Sequence, residues 1–96
     1  MTDKHLLTEI RGDILRLAAS RGAYNVRIFG SFAPGTARDD SDIDILVDVK
    51  PGRSLIDVVG LWLDLQELLG RKVDLIVERA VHPHLRDVIM AEARPL

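Results

Sequence analysis

The chain has 96 residues, 47% of them hydrophobic and 29% charged, with 7 glycines and 4 prolines; this composition excludes a disordered or fibrous protein and fits one compact domain, residues 1–96, without a second lobe of ordinary size. It has no cysteine, which excludes a disulfide scaffold and a thiolate zinc site, and it shows neither a signal-peptide pattern nor an apolar stretch long enough to span a membrane, so a cytoplasmic protein is expected. The net charge of −2 is unevenly spread: Asp39, Asp40, Asp42, Asp44 and Asp48 share one ten-residue window, and the other 86 residues carry 13 basic and 10 acidic side chains. A local acidic cluster on a mildly basic body suits metal binding; strong nucleic-acid binding would need a basic patch or interleaved aromatics, and neither is present.

Leu6, Leu7, Ile10, Ile14, Leu17 and Ala18 recur at the helical period behind a Thr2 or Asp3 cap, so a first helix is expected to run to about Ser20, with Gly22 stopping it. Asn25 to Phe29, with Val26 and Ile28 on one face, reads as a strand ended by Gly30. Ser31 can cap a short helical turn limited by Pro34 and Gly35, and Thr36 to Ser41 is polar loop. Ile43 to Val49 is β-branched and long enough for a central strand ending at Pro51-Gly52.

Ser54 followed by Asp57 resembles a capping box and opens a long helix to about Leu69, before Gly70. That helix is apolar around much of its surface, more than one sheet face requires, so part of it is expected to contact another chain and an oligomer is possible. Val73 to Val77 is a third strand, and Pro83 opens a last helix over roughly His84 to Ala93. The order reads α, β, short α, β, α, β, α.

The chemistry concentrates between Gly30 and Asp74. Backbone amides at a glycine turn that opens a helix point at an incoming anion, so Gly30 and Ser31 can cradle a phosphate, although many such turns serve conformation only. Asp42 and Asp44 lie one residue apart at the mouth of a strand and project to one face, where two carboxylates repel unless a cation sits between them. Their hard oxygens suit Mg²⁺. The plain alternative is an acidic solvated loop, and a calcium loop stays open, without the ligand spacing or terminal glutamate of an EF-hand. Against the plain reading, Asp44 interrupts an apolar strand, and so does Asp74 inside Val73 to Val77. Burying a charge without a partner is costly, so a shared cation is the better account of two such intrusions. With the third strand beside the second, Asp42, Asp44 and Asp74 form a three-carboxylate site able to hold two metals, with Asp74 bridging or acting as base.

Gly30-Ser31, the segment Ser41-Asp42-Ile43-Asp44 and the isolated Asp74 together resemble the polymerase-β-like nucleotidyltransferase superfamily, and within it the minimal (MNT-type) nucleotidyltransferases of prokaryotes; the resemblance extends over nearly the whole chain. It implies an α+β fold, a small mixed β-sheet flanked by helices, with a nucleoside triphosphate and Mg²⁺ at the edge made by Gly30, Ser31, Asp42 and Asp44. It implies transfer of a nucleoside monophosphate with release of pyrophosphate. Many minimal members are antitoxins encoded beside a HEPN-domain toxin, and some transfer AMP from ATP to a toxin tyrosine. This chain has Pro34 where many members have a basic residue, and Arg38 is the candidate substitute for holding phosphates.

Two functions follow as expectations: Mg²⁺-dependent transfer of a nucleotide, AMP from ATP, to a hydroxyl of a partner protein, or a binding antitoxin that neutralises its partner by covering it. Transfer to a small acceptor, or templated synthesis, would call for a second lobe. His5, His82 and His84 are expected at the surface, Trp62 in the core or an interface, Lys72 as edge charge, Tyr24 over the active-site edge, and Arg53 facing a nucleotide or partner.

Overall fold

The computed structural model describes the backbone of residues 3–30 and 42–96 and the side chains of residues 10–30 and 42–96. Its elements are α1 (Asp3–Ser20), β1 (Ala23–Phe29), β2 (Ile43–Val49), α2 (Leu55–Leu69), β3 (Val73–Val77), a 3-10 turn over Glu78–Ala80, α3 (Pro83–Glu92) and a two-residue β4 (Arg94–Pro95). The short helix expected after Ser31 and the polar loop Thr36 to Ser41 fall outside the described residues.

The strands form one mixed sheet in the order β3-β2-β1-β4. β2 runs antiparallel to β1 and parallel to β3, and β1 is also antiparallel to β4. The parallel β2–β3 pair needs a long crossover, which α2 provides. Ile43, Ile45, Val47 and Val49 alternate onto the face covered by α1 and α2, where Ile14, Ala18, Leu61, Leu65 and Leu69 complete the core. Leu61, Leu65 and Leu69 recur every fourth residue, the stripe that a helix lays on a sheet. At the start of α2 the Ser54 amide donates to Asp57 Oδ2 at 3.2 Å, the return half of the expected capping box. Pro83 is at the opening of α3, with the Nδ1 of His82 accepting from the His84 amide at 3.2 Å.

Two features differ from the sequence reading. β1 starts at Ala23 and contains a bulge between Tyr24 and Arg27, where one extra residue is inserted against β2. Asn25 occupies the left-handed region there (φ 51°), a conformation asparagine tolerates better than most, and its amide donates to Asp48 Oδ2 at 2.9 Å. β4 is too short to show any alternation in sequence; its pairing brings Arg94 opposite Ile28, and Leu96 donates to the Val26 carbonyl at 3.1 Å. Among the described residues no helix is long and apolar enough to cross a membrane.

Candidate active site

The face of the sheet away from α1 and α2 carries the even-numbered residues of β2. In register, Phe29 of β1, Asp44 of β2 and Asp74 of β3 form one row across three strands. Directly opposed residues of neighbouring strands stand close enough for their side chains to touch. The carboxyls of Asp44 and Asp74 do so, sharing a hydrogen bond. Burial, that bond, and the negative charges of Asp74, Asp42 and Glu92 push Asp44 up from 3.8 to about 6.

Gly30 closes the row from the β1 side. It has φ +69°, and a β-carbon there would collide with Asp44 Oδ2. The position therefore requires glycine for two independent reasons, the left-handed backbone and the closeness of the carboxylate. Ser31, Arg38 and Pro34 lie outside the described residues, so of the expected phosphate cradle only Gly30 is described.

Asp42 is at the mouth of β2 and forms an ion pair with Lys72 at 3.7 Å, a loose surface contact. Among the described residues no group of three or more His, Asp or Glu side chains is gathered as a metal site. The carboxyls in mutual contact are thus Asp44 and Asp74, with Asp42 adding charge to Asp44 from two residues away. The donor set nevertheless fits a hard divalent cation: two carboxyls forced together must share either a proton or a positive ion, and carboxylate oxygens are the ligands Mg²⁺ takes.

A cleft of about 450 Å³ opens beside this row. Phe29, Asp44, Asp74 and Leu75 line it from the sheet, and Val59 and Trp62 from α2. Trp62 is anchored there, its Nε1 donating to the Val73 carbonyl at 2.6 Å, while Gln66 Oε1 accepts from the Val73 amide at 3.2 Å.

Behind the row sits a charged network that the sequence reading passed over. Arg27, 6% exposed, bonds Asp48 at 3.3 Å, Glu78 at 3.4 Å and the Asn25 carbonyl at 2.9 Å. Glu78 also accepts from Arg86 at 3.1 Å, which ties α3 to the sheet. Burial pushes the Asp48 carboxyl up, but its bonds with Glu78, Asn25 and Arg27 outweigh burial and hold it below the usual carboxylate range. The signal in sequence is a lone arginine between Val26 and Ile28 with an aspartate near the end of the next strand. Of the remaining candidates, His82 and His84 are exposed and stack on each other. Tyr24 pairs with Asp48, at the end of β1 remote from Gly30, and Arg53 lies against Gly22 and Asp57. Neither reaches the Asp44–Asp74 row. Lys72 is the Asp42 partner.

Comparison with known proteins gives the family. The Nucleotidyltransferase domain family matches residues 7–96. A Methanocaldococcus jannaschii protein bearing the provisional name protein adenylyltransferase MJ0435 is 40% identical over 87 residues, 91% of this chain and 94% of that protein. A solved structure described provisionally as a minimal nucleotidyltransferase superposes with a TM-score of 0.89 at 46% identity, covering 100% of this chain and 98% of the other. A toxin–antitoxin crystal structure with AMP-PNP superposes with a TM-score of 0.76 at 26% identity, over 88% of this chain and 69% of that one. With the mixed sheet, the glycine turn and the paired aspartates in place, the chain belongs to the nucleotidyltransferase domain family and is an enzyme of its minimal type.

Proposed function

We propose that this enzyme transfers AMP from ATP to a hydroxyl group of a partner protein, and that the partner is the HEPN-domain toxin of a toxin–antitoxin pair. The observation that carries the reading is the Asp44–Asp74 carboxyl pair, set against a glycine that leaves no room for a side chain and opening onto a cleft. The protein adenylyltransferase name of the 40% identical relative supports the choice of AMP and of a protein acceptor. The toxin–antitoxin structure with AMP-PNP supports the nucleotide and the setting. ATP as substrate and the cysteine-free chain fit a cytoplasmic enzyme.

In this reading Asp42, Asp44 and Asp74 hold Mg²⁺, while Gly30, Ser31 and Arg38 take the phosphates. Mg²⁺, when bound, neutralises phosphate charge and acidifies a coordinated hydroxyl. The acceptor oxygen bonds to the α-phosphorus of ATP, the bond from that phosphorus to the bridging oxygen breaks, and pyrophosphate leaves. The hydroxyl proton passes to the carboxylate of Asp74, which acts as base beside Asp44. The row's position on the sheet, not on a loop, fixes both carboxyls before substrate arrives.

A second reading, neutralisation by binding alone, is favoured by one feature. Leu55 and Ile56 of α2 are 75% and 79% exposed and adjoin half-exposed Leu63, an apolar face of the kind that docks on a partner. The two readings separate in one experiment. The purified chain is incubated with the proposed HEPN-domain partner, labelled ATP and Mg²⁺, and the modified residue is mapped; a stable complex without label on the partner would leave binding alone.

A further inference from the structure

Among the described residues β3 is an edge strand of the sheet, with β2 on one side only. The Lys72 carbonyl accepts from the Ile43 amide of β2. Main-chain groups alternate sides along a strand, so those of Asp74 and Ile76 also face β2 while those of Val73, Leu75 and Val77 face outward. At Val73 the helix substitutes for a neighbouring strand: Trp62 donates to its carbonyl and Gln66 accepts from its amide. At Leu75 nothing does so. Its N–H and C=O have no protein partner among the described residues, and neither has the N–H of Val77.

This open stretch of edge is also where the cleft lies, with Val59 and Trp62 as its outer wall and Asp44 and Asp74 at its sheet end. Edges left unpaired accept an extended chain, and an added strand lies about 4.8 Å from its neighbour with its residues in register. The residue that continues the row Phe29, Asp44, Asp74 would then stand on the same face as both carboxyls, next to Asp74.

We propose that the acceptor protein is bound here, by an extended segment that pairs with Leu75 and Val77 as a fifth strand and presents its hydroxyl side chain beside Asp74. Charge defines the segment further: the two aspartates exclude an acidic sequence, so the segment is neutral or basic. The inference rests on the proposed transfer to a protein hydroxyl and adds how that protein is recognised.

The test uses the full chain and, as acceptor, the proposed HEPN-domain partner. Leu75→Pro removes an outward N–H that an edge strand can spare, together with a partly buried side chain packed against the core, and Val59→Arg puts a charged chain into the cleft from an exposed helix position. Thermal melts establish folding, and ATP affinity is measured alongside so that a damaged nucleotide site is recognised. The expected result is that each folded variant needs at least about tenfold more acceptor for half-maximal labelling. Folded variants that label the acceptor at wild-type concentrations overturn the proposal. Amide exchange by NMR gives a readout that does not depend on chemistry: the acceptor should slow exchange at Leu75 and Val77 and leave that of Ile76, already paired with β2, unchanged. If the wild-type chain transfers no label, the transfer reading fails, and the exchange pattern still decides the docking mode. Unprotected Leu75 and Val77 in a formed complex overturn it.

Discussion

Asp44 and Asp74 face each other in register across the parallel β2–β3 pair, and their carboxyls are hydrogen-bonded. Two acids in that relation cannot both be ionised cheaply, and the structure holds them there by sheet geometry. This arrangement is costly for the metal-free fold.

The first prediction concerns pH. The folded Asp44 keeps its proton to about 6, whereas the unfolded residue releases it near 3.8, so the folded state binds more protons in that interval. Stability of the metal-free chain therefore falls as pH rises through the interval, by on the order of 1 kcal/mol once solvent screening of a half-buried carboxyl is allowed for. Asp44→Asn should remove the cost and raise the melting temperature at neutral pH by a few degrees, about 4–8 °C per kcal/mol for a domain of this size. Melts of both proteins between pH 4 and 8 check the sign. Mg²⁺ should stabilise the wild type increasingly above pH 6, because it competes with the proton, and chelation should undo this.

Gly30→Ala should be disproportionately harmful. The added methyl meets Asp44 Oδ2 and the backbone is left-handed, which together cost on the order of 1–3 kcal/mol. Transfer activity should fall more than tenfold even where the variant remains folded, since relief of the clash must move Asp44. Denaturant melts and label transfer measured on the same preparation separate the two effects.

Arg27 anchors the other end of the same sheet face. Arg27→Met leaves Asp48 and Glu78 facing each other without their shared cation, and a loss of about 3 kcal/mol is expected. Asp48 is held below the usual carboxylate range, so its contribution is present at neutral pH and is lost as pH falls through its folded pKa. The wild type should thus lose stability on acidification where Arg27→Met loses much less. Urea midpoints at pH 7 and pH 3 make the comparison.

The exposed apolar face of α2 gives a prediction about the partner. Ile56→Asp should leave stability within about 0.5 kcal/mol, because the side chain is 79% exposed, and should weaken association with the proposed HEPN-domain partner at least about tenfold. Titration calorimetry with wild type and variant measures both affinities.

Much of the fold was legible in the sequence because its signals are local. Glycine, proline and the Ser54–Asp57 pair mark ends of α2 and α3, and β-branched runs mark β2 and β3 with the bounds observed. The apolar face of α2 followed from counting leucines around a helix. What escaped depends on contacts between distant residues. The bulge at Asn25 follows from a side-chain bond to Asp48, and β4 exists only because β1 offers an edge to two residues. The aspartates were visible as charges intruding on apolar strands, and Asp74 was expected to join Asp42 and Asp44 with the third strand beside the second. In the structure the parallel register sets Asp74 opposite Asp44, while Asp42, at the strand mouth, pairs with Lys72. Arg27 was hidden because an arginine in a strand reads as solvated until its two carboxylate partners, 21 and 51 residues away, are folded against it.

The most direct test of the central claim is the intact mass of the proposed HEPN-domain partner after incubation with the chain, ATP and Mg²⁺. The account predicts a gain of one or more AMP groups on the partner with the wild-type chain, and none with Asp44→Asn or Asp74→Asn, although both variants melt at or above the wild-type temperature. Partner protein that gains AMP equally with all three, or with none of them while complex forms and ATP binds, would contradict it.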